Sequence, residues 1–157
     1  MPLRDLLLAL QNSALAHSIS KADHLVGAGL QIIHVLGFVL LLASVVLLGL
    51  RLAGRVLTAH SPAAVYRDTA PLLWLGLALT VGSDALMFAA SPLLYAAKPI
   101  FTIKLGLLLT ALLIHLLVIR PALRADLLRP SLAGPRAALA LLTWFGVGLA
   151  GRIIGFV

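Results

Sequence analysis

The amino-acid sequence predicts an all-α fold: a transmembrane four-helix up-down bundle preceded by a short amphipathic helix lying in the membrane interface. Three observations predict it. The chain of 157 residues is 62% hydrophobic and 11% charged, where a soluble domain is about half apolar and about a quarter charged. Its apolar residues gather into four runs of about 20 residues or more, each long enough as a helix to cross ~30 Å of hydrocarbon. The basic residues fall between the runs with a strong bias. One loop holds Arg51, Arg55 and Arg67 and another holds Arg120, Arg124, Arg129 and Arg136, together seven of the 12 Lys and Arg residues. By the positive-inside rule these loops are cytoplasmic and both termini face outward, as in a multi-pass protein of a bacterial inner membrane.

Taken in order, residues 1–24 form the interfacial segment. Leu3, Leu7, Leu10 and Ala14 recur at helical spacing opposite Asn12 and Ser13, the pattern of a helix lying flat at the headgroup level. Arg4, LLLAL and Ala14-Leu15-Ala16 faintly imitate a secretion signal, but the apolar core between Asp5 and Gln11 is too short for cleavage to be expected. The first span covers about 25–50 and is free of formal charge. Ser61-Pro62 marks a turn, and Asp68 or Thr69 is placed to cap a second span over about 71–90, with Pro71 in its first turn. Tyr66 and Trp74 suit an interface. Ser91 to Pro99 connects to a third span at about 100–119, and a proline-broken loop leads to the fourth at about 137–157. Short connections make sequential helices antiparallel neighbours, so residues 1–157 are read as one membrane domain in contact with the lipid bilayer.

Composition removes several function classes. The absence of cysteine excludes disulfides, thiolate metal sites and a cysteine nucleophile. The net charge of +7 sits in short inter-span loops, where topology accounts for it better than nucleic acid does. Gly146 to Gly151 spells G-x-G-x-x-G, but inside an apolar span with no preceding strand it is no dinucleotide fingerprint. Gly151 and Gly155 instead read as a G-x-x-x-G face for close packing, within the bundle or in a homodimer. Glu is absent, and no Ser-His-Asp set, carboxylate pair or phosphate loop occurs, so hydrolysis is not expected.

The informative residues are the ionisable ones inside the spans. At 1.5 Å rise per residue, His34 and Asp84 lie roughly 5 Å to the outer side of their midpoints, and Lys104 and Arg152 about 8 Å. Each span therefore supplies one such group to a common layer, with Gln31 one turn from His34 and Thr80 one turn from Asp84. Such a layer is a default functional candidate, and equally it is a buried ion pair that fixes helix register. Read as a site, one negative and two positive charges favour an anionic group such as a haem propionate or a reduced quinone oxygen. His115 shares the Lys104 face, so His34 and His115 are the first pair to test for a b-type haem. Their separation of ~13 Å in depth counts against it; His17, or His34 of a second subunit, would fit His34 better. His17, His24 and His34 also suggest copper, although Met87 is the lone internal thioether and a Cu(I) path favours softer ligands.

His34-Val-Leu-Gly37, Leu50-Arg51-Leu52-Ala-Gly54, Pro71, Gly82, Tyr95 and Phe101-Thr-Ile-Lys104 resemble an uncharacterised family of small bacterial four-helix membrane proteins. The likeness runs from about Ser13 to His115. It implies fold and location, with His34, Arg51 and Lys104 as positions of interest. Lys104 to Ala122 also looks like part of the membrane domain of copper-resistance protein D. The leading expectation is a redox or cofactor-binding membrane subunit of haem b or quinone type. A structural or accessory subunit of a larger complex is the alternative, and a copper or ion permease a further one.

Overall fold

The computed structural model describes residues 3–21, 24–124 and 130–156; the side chains at 20, 21, 24, 124 and 130 fall outside that description. His24, Arg124 and Arg129, all singled out in the sequence, thus lie outside the described side chains. Among the described residues there is no strand. The helices are α1 (Leu3–Gln11), α2 (Ala14–Lys21), α3 (His24–Leu52), α4 (Pro62–Ala90), α5 (Pro92–Ala96), α6 (Pro99–Ile114), α7 (Arg120–Arg124) and α8 (Pro130–Ile153), with a π-helical turn at His115–Ile119 joining α6 to α7. Four of these stretches are long and apolar enough to cross a membrane: 25–52, 62–90, 99–123 and 131–153. Leu36, Val39, Leu109, Leu117, Leu142 and Leu149 are exposed, as befits side chains whose solvent is lipid. The protein is a multi-pass membrane protein.

The ends of the spans follow local chemistry. α3 stops at Gly54, whose φ of +69° is the left-handed conformation glycine adopts without strain. There the Gly54 and Arg55 amides donate to the Arg51 and Leu50 carbonyls at 3.0 and 2.9 Å, closing the helix as a Schellman cap. α4 starts nine residues before the sequence suggests. Ser61 is its N-cap, its Oγ accepting from the Ala64 amide at 3.1 Å, and Pro62 occupies the first turn where no N–H is required. Pro71 then sits inside the helix. Likewise α8 begins at Pro130 with Pro135 inside it, so part of what hydropathy assigns to a loop is helix. The N-terminal segment is two helices rather than one. They break at Asn12-Ser13, where Ser13 Oγ accepts from the Ala16 amide at 3.2 Å.

The spans pack as a ring in which α3 touches α4 and α8, and α8 touches α6. The α3–α4 crossing is a backbone contact. A Cβ on Gly76 would stand 2.5 Å from the Gly37 carbonyl oxygen, and one on Gly37 would stand 2.9 Å from that of Gly76, so both positions need glycine. Leu41, Val45, Leu73, Ala111, Trp144 and Val147 fill the centre, and a second cluster around Leu48, Ile119 and Ala140 fills the arginine-rich end. The α4–α6 side is joined by side chains instead. Phe88 stacks on Phe101 at 5.2 Å, Asp84 pairs with Lys104, and His115 lies between Tyr66 and Trp74. At the opposite end from the arginines, α1 packs on α5 and α2 on α4.

Candidate functional site

A cavity of about 460 Å³ opens at the α5 end, bounded by α3, α4, α8 and the α5–α6 connection. Its lining includes Gln31, His34, Asp84, Lys104 and Arg152, five of the residues the sequence singles out. Its volume lies in the range of small-molecule sites. Gln31, Val35, Val39 and Arg152 are exposed, so the cavity meets the surface along the α3–α8 seam.

The Lys104 ammonium, on a residue only 6% exposed, donates to Asp84 Oδ2 at 2.5 Å. Gly151 lies beside it: a Cβ there would make ordinary contact with Lys104 Cε at 3.4 Å. On the other side of the carboxylate, His34 Nδ1 lies 3.3 Å from Asp84 Oδ1. The same nitrogen is 3.3 Å from the Thr80 carbonyl oxygen and 3.3 Å from Ser83 Oγ. The carbonyl and the carboxylate can only accept. Ser83 Oγ spends its proton on the Leu79 carbonyl at 2.7 Å or that of Thr80 at 3.0 Å, so it too can accept. Nδ1 therefore carries the hydrogen, and in the neutral ring Nε2 is left as a base. Thr80 Oγ1 is a further polar atom of the lining. It is buried, on a residue 5% exposed, without a hydrogen-bond partner. Unpaired hydroxyls in a dry interior are costly, and this one belongs to the cavity wall.

Sequence and structure differ on several members. Arg152 lines the same cavity as Lys104 but is exposed. Because α8 starts early and ends at Ile153, Arg152 stands in the last turn, at the mouth of the cavity, with its guanidinium 4.7 Å from the Phe156 ring centre. His115 does not join the site. It is 2% exposed at the other end of α6, its Nε2 3.4 Å from the Tyr66 hydroxyl and its ring edge-on to Trp74. Tyr66 and Trp74, read as interface aromatics, turn onto it. His17 is exposed on α2, which packs on α4. Among the described residues no three His, Cys, Asp or Glu side chains gather as a metal site would require. Of the G-x-x-x-G pair, Gly155 lies past the end of α8 and Gly151 lies beside the Lys104 side chain.

Sequence reasoning missed Ser83, Phe38, Tyr95 and Lys98. Ser83 stands three residues after Thr80, at helical spacing on the face turned to His34, a signal that was available. Phe38 forms cavity wall against Gly148, where any Cβ would collide with its ring. Lys98 donates to the Ile154 carbonyl at 2.9 Å and ties the end of α8 to the start of α6. Burial, with the Asp84 carboxylate adding to it, raises the Tyr95 phenol above its usual range.

Fold and cavity together define a polytopic four-helix membrane protein with a polar chamber near one surface. Comparison of the chain with protein-family models, curated proteins and solved structures returns no match. The family likeness drawn from short motifs therefore rests on those residues alone.

Proposed function

We propose that the protein is a cofactor-binding subunit of the bacterial inner membrane whose α5-end cavity takes the head of a quinone-type molecule. The observation that carries this reading is the combination of donors and an unpaired hydroxyl in one chamber open along the α3–α8 seam. A quinone carbonyl accepts from Lys104 or Arg152. A quinol hydroxyl donates to His34 Nε2, and Asp84, against the same ring, stabilises the imidazolium that results. Thr80 Oγ1 supplies a further donor or acceptor. The exposed Val35 and Val39 offer an apolar exit for a prenyl tail. The positive-inside rule puts the arginine-rich end in the cytoplasm and this chamber on the outer side.

A haem bridging His34 and His115 is poorly supported. Lys104, which shares the His34 level through Asp84, is eleven residues from His115, about 16 Å along a helix. Among the described residues no cluster of ligands favours copper. The second reading, a structural subunit, draws on Asp84–Lys104 as a charge-neutral tie between α4 and α6.

The test is saturable binding of a short-chain benzoquinone to protein in nanodiscs, measured against empty nanodiscs, together with solvent extraction of the purified protein. The quinone reading expects binding above partition that weakens in His34→Ala. Uptake equal to that of empty discs would leave the structural reading. A Soret band in the absorption spectrum would instead return the site to haem.

A further inference from the structure

A second cavity, of about 710 Å³, lies at the arginine-rich end against the first half of α4. Its rim carries Arg67 and Arg120 together with the Ser61 and Tyr66 hydroxyl-bearing side chains, and its floor is Trp74 and Leu123. Among the described residues no acidic residue lines it. Asp68 is nearest in sequence, and its pair with Arg67 spans 3.7 Å between two strongly exposed side chains, a contact of little strength. Arg120 has no ion-pair partner among the described residues. From Ser61 to Trp74 the cavity follows α4 for about 20 Å at 1.5 Å per residue. It therefore runs from the level of the loops well into the span. A basic rim over an apolar floor of that length fits a headgroup at one end and acyl chain at the other.

We infer that this cavity is a binding site for an anionic phospholipid, its phosphate held between Arg67 and Arg120 and its chain lying over Trp74 and Leu123. A free phosphate would use the rim and leave the floor unused. A zwitterionic lipid would use the floor, but its own cation would offset the phosphate at the rim. Each guanidinium near an anionic headgroup favours it by roughly fivefold, so the pair gives a preference of about thirty-fold over a zwitterionic lipid.

Tryptophan fluorescence reads the floor directly. Trp144 is 1% exposed and its Nε1 has no partner, so Trp144→Phe sacrifices no hydrogen bond and leaves Trp74 as the sole indole. In that background, vesicles of phosphatidylcholine receive a small fraction of lipid brominated on the acyl chain, as phosphatidylglycerol or as phosphatidylcholine. Brominated phosphatidylglycerol is expected to quench Trp74 at about thirty-fold lower mole fraction. The difference should vanish in Arg67→Gln/Arg120→Gln protein of unchanged circular dichroism. Equal quenching by the two lipids overturns the inference, and this comparison needs no arginine variant to fold. Full recovery of fluorescence on adding millimolar inorganic phosphate would also overturn it, assigning the rim to a free anion.

Discussion

Replacing Asp84 with Asn tests whether the polar chamber is held by charge. The carboxylate accepts the Lys104 ammonium at 2.5 Å, and the Lys104 side chain is 8% exposed against 27% for Asp84. Asp84→Asn leaves an ammonium in the span without its counter-charge, and breaking one side of a buried pair costs about 3–5 kcal/mol. The low end applies, about 3 kcal/mol, because the carboxylate is partly open to the cavity. His34 keeps the Thr80 carbonyl and Ser83 as acceptors, so the imidazole adds little to the loss. Adding Lys104→Met removes the stranded charge, and the double variant should return to within about 1 kcal/mol of wild type, since apolar replacement of a buried pair is often near neutral. The assay is reversible unfolding in mixed micelles followed by circular dichroism, run as a double-mutant cycle. Asp84→Asn within about 0.5 kcal/mol of wild type, or a double variant that only adds the two single losses, would refute the reasoning.

Other outcomes follow from single contacts. Gly76→Ala sets a Cβ against the Gly37 carbonyl and the Leu41 amide, backbone atoms that cannot swing away, and should cost about 1–3 kcal/mol in the same unfolding assay. Thr80→Val removes an unpartnered hydroxyl; stability should hold or rise by up to about 1 kcal/mol while benzoquinone binding in nanodiscs weakens by about tenfold. The raised Tyr95 phenol means the folded state keeps a proton that the unfolded chain releases near pH 10. Its contribution is complete below that pH and is lost as pH rises through the folded value. Tyr95→Phe should therefore unfold with a weaker dependence on pH above about 10, measured as melting temperature against pH.

The spans were legible because hydrophobicity and charge are one-dimensional signals, and the common level of His34, Asp84 and Lys104 followed from rise per residue alone. The ends were less legible. PAAVYRDTA, the start of α4, has a loop's polarity, yet Ser61 and Pro62 give it a helix start; Pro71 was mistaken for that start because both sites suit proline in a first turn. The same shift of frame at α8 moved Arg152 to the mouth of the cavity. Which acceptors surround His34 depends on how α3 rotates against α4. That is set by the Gly37–Gly76 crossing, a contact between residues with no side chain to announce it. Lys98 hides for another reason. Its partner is a main-chain carbonyl, and sequence says nothing of which carbonyls lack a donor.

The glycine crossing also decides which part of the molecule can give way. The imidazole, the carboxylate and the Thr80 hydroxyl all stand on the two helices whose main chains touch, so their mutual spacing is set by that crossing. α6 is fastened to that pair by a ring stack, one ion pair and a histidine between two aromatic rings. The ammonium of Lys104 enters the chamber from α6, so its place there depends on those side-chain contacts and not on the main-chain crossing.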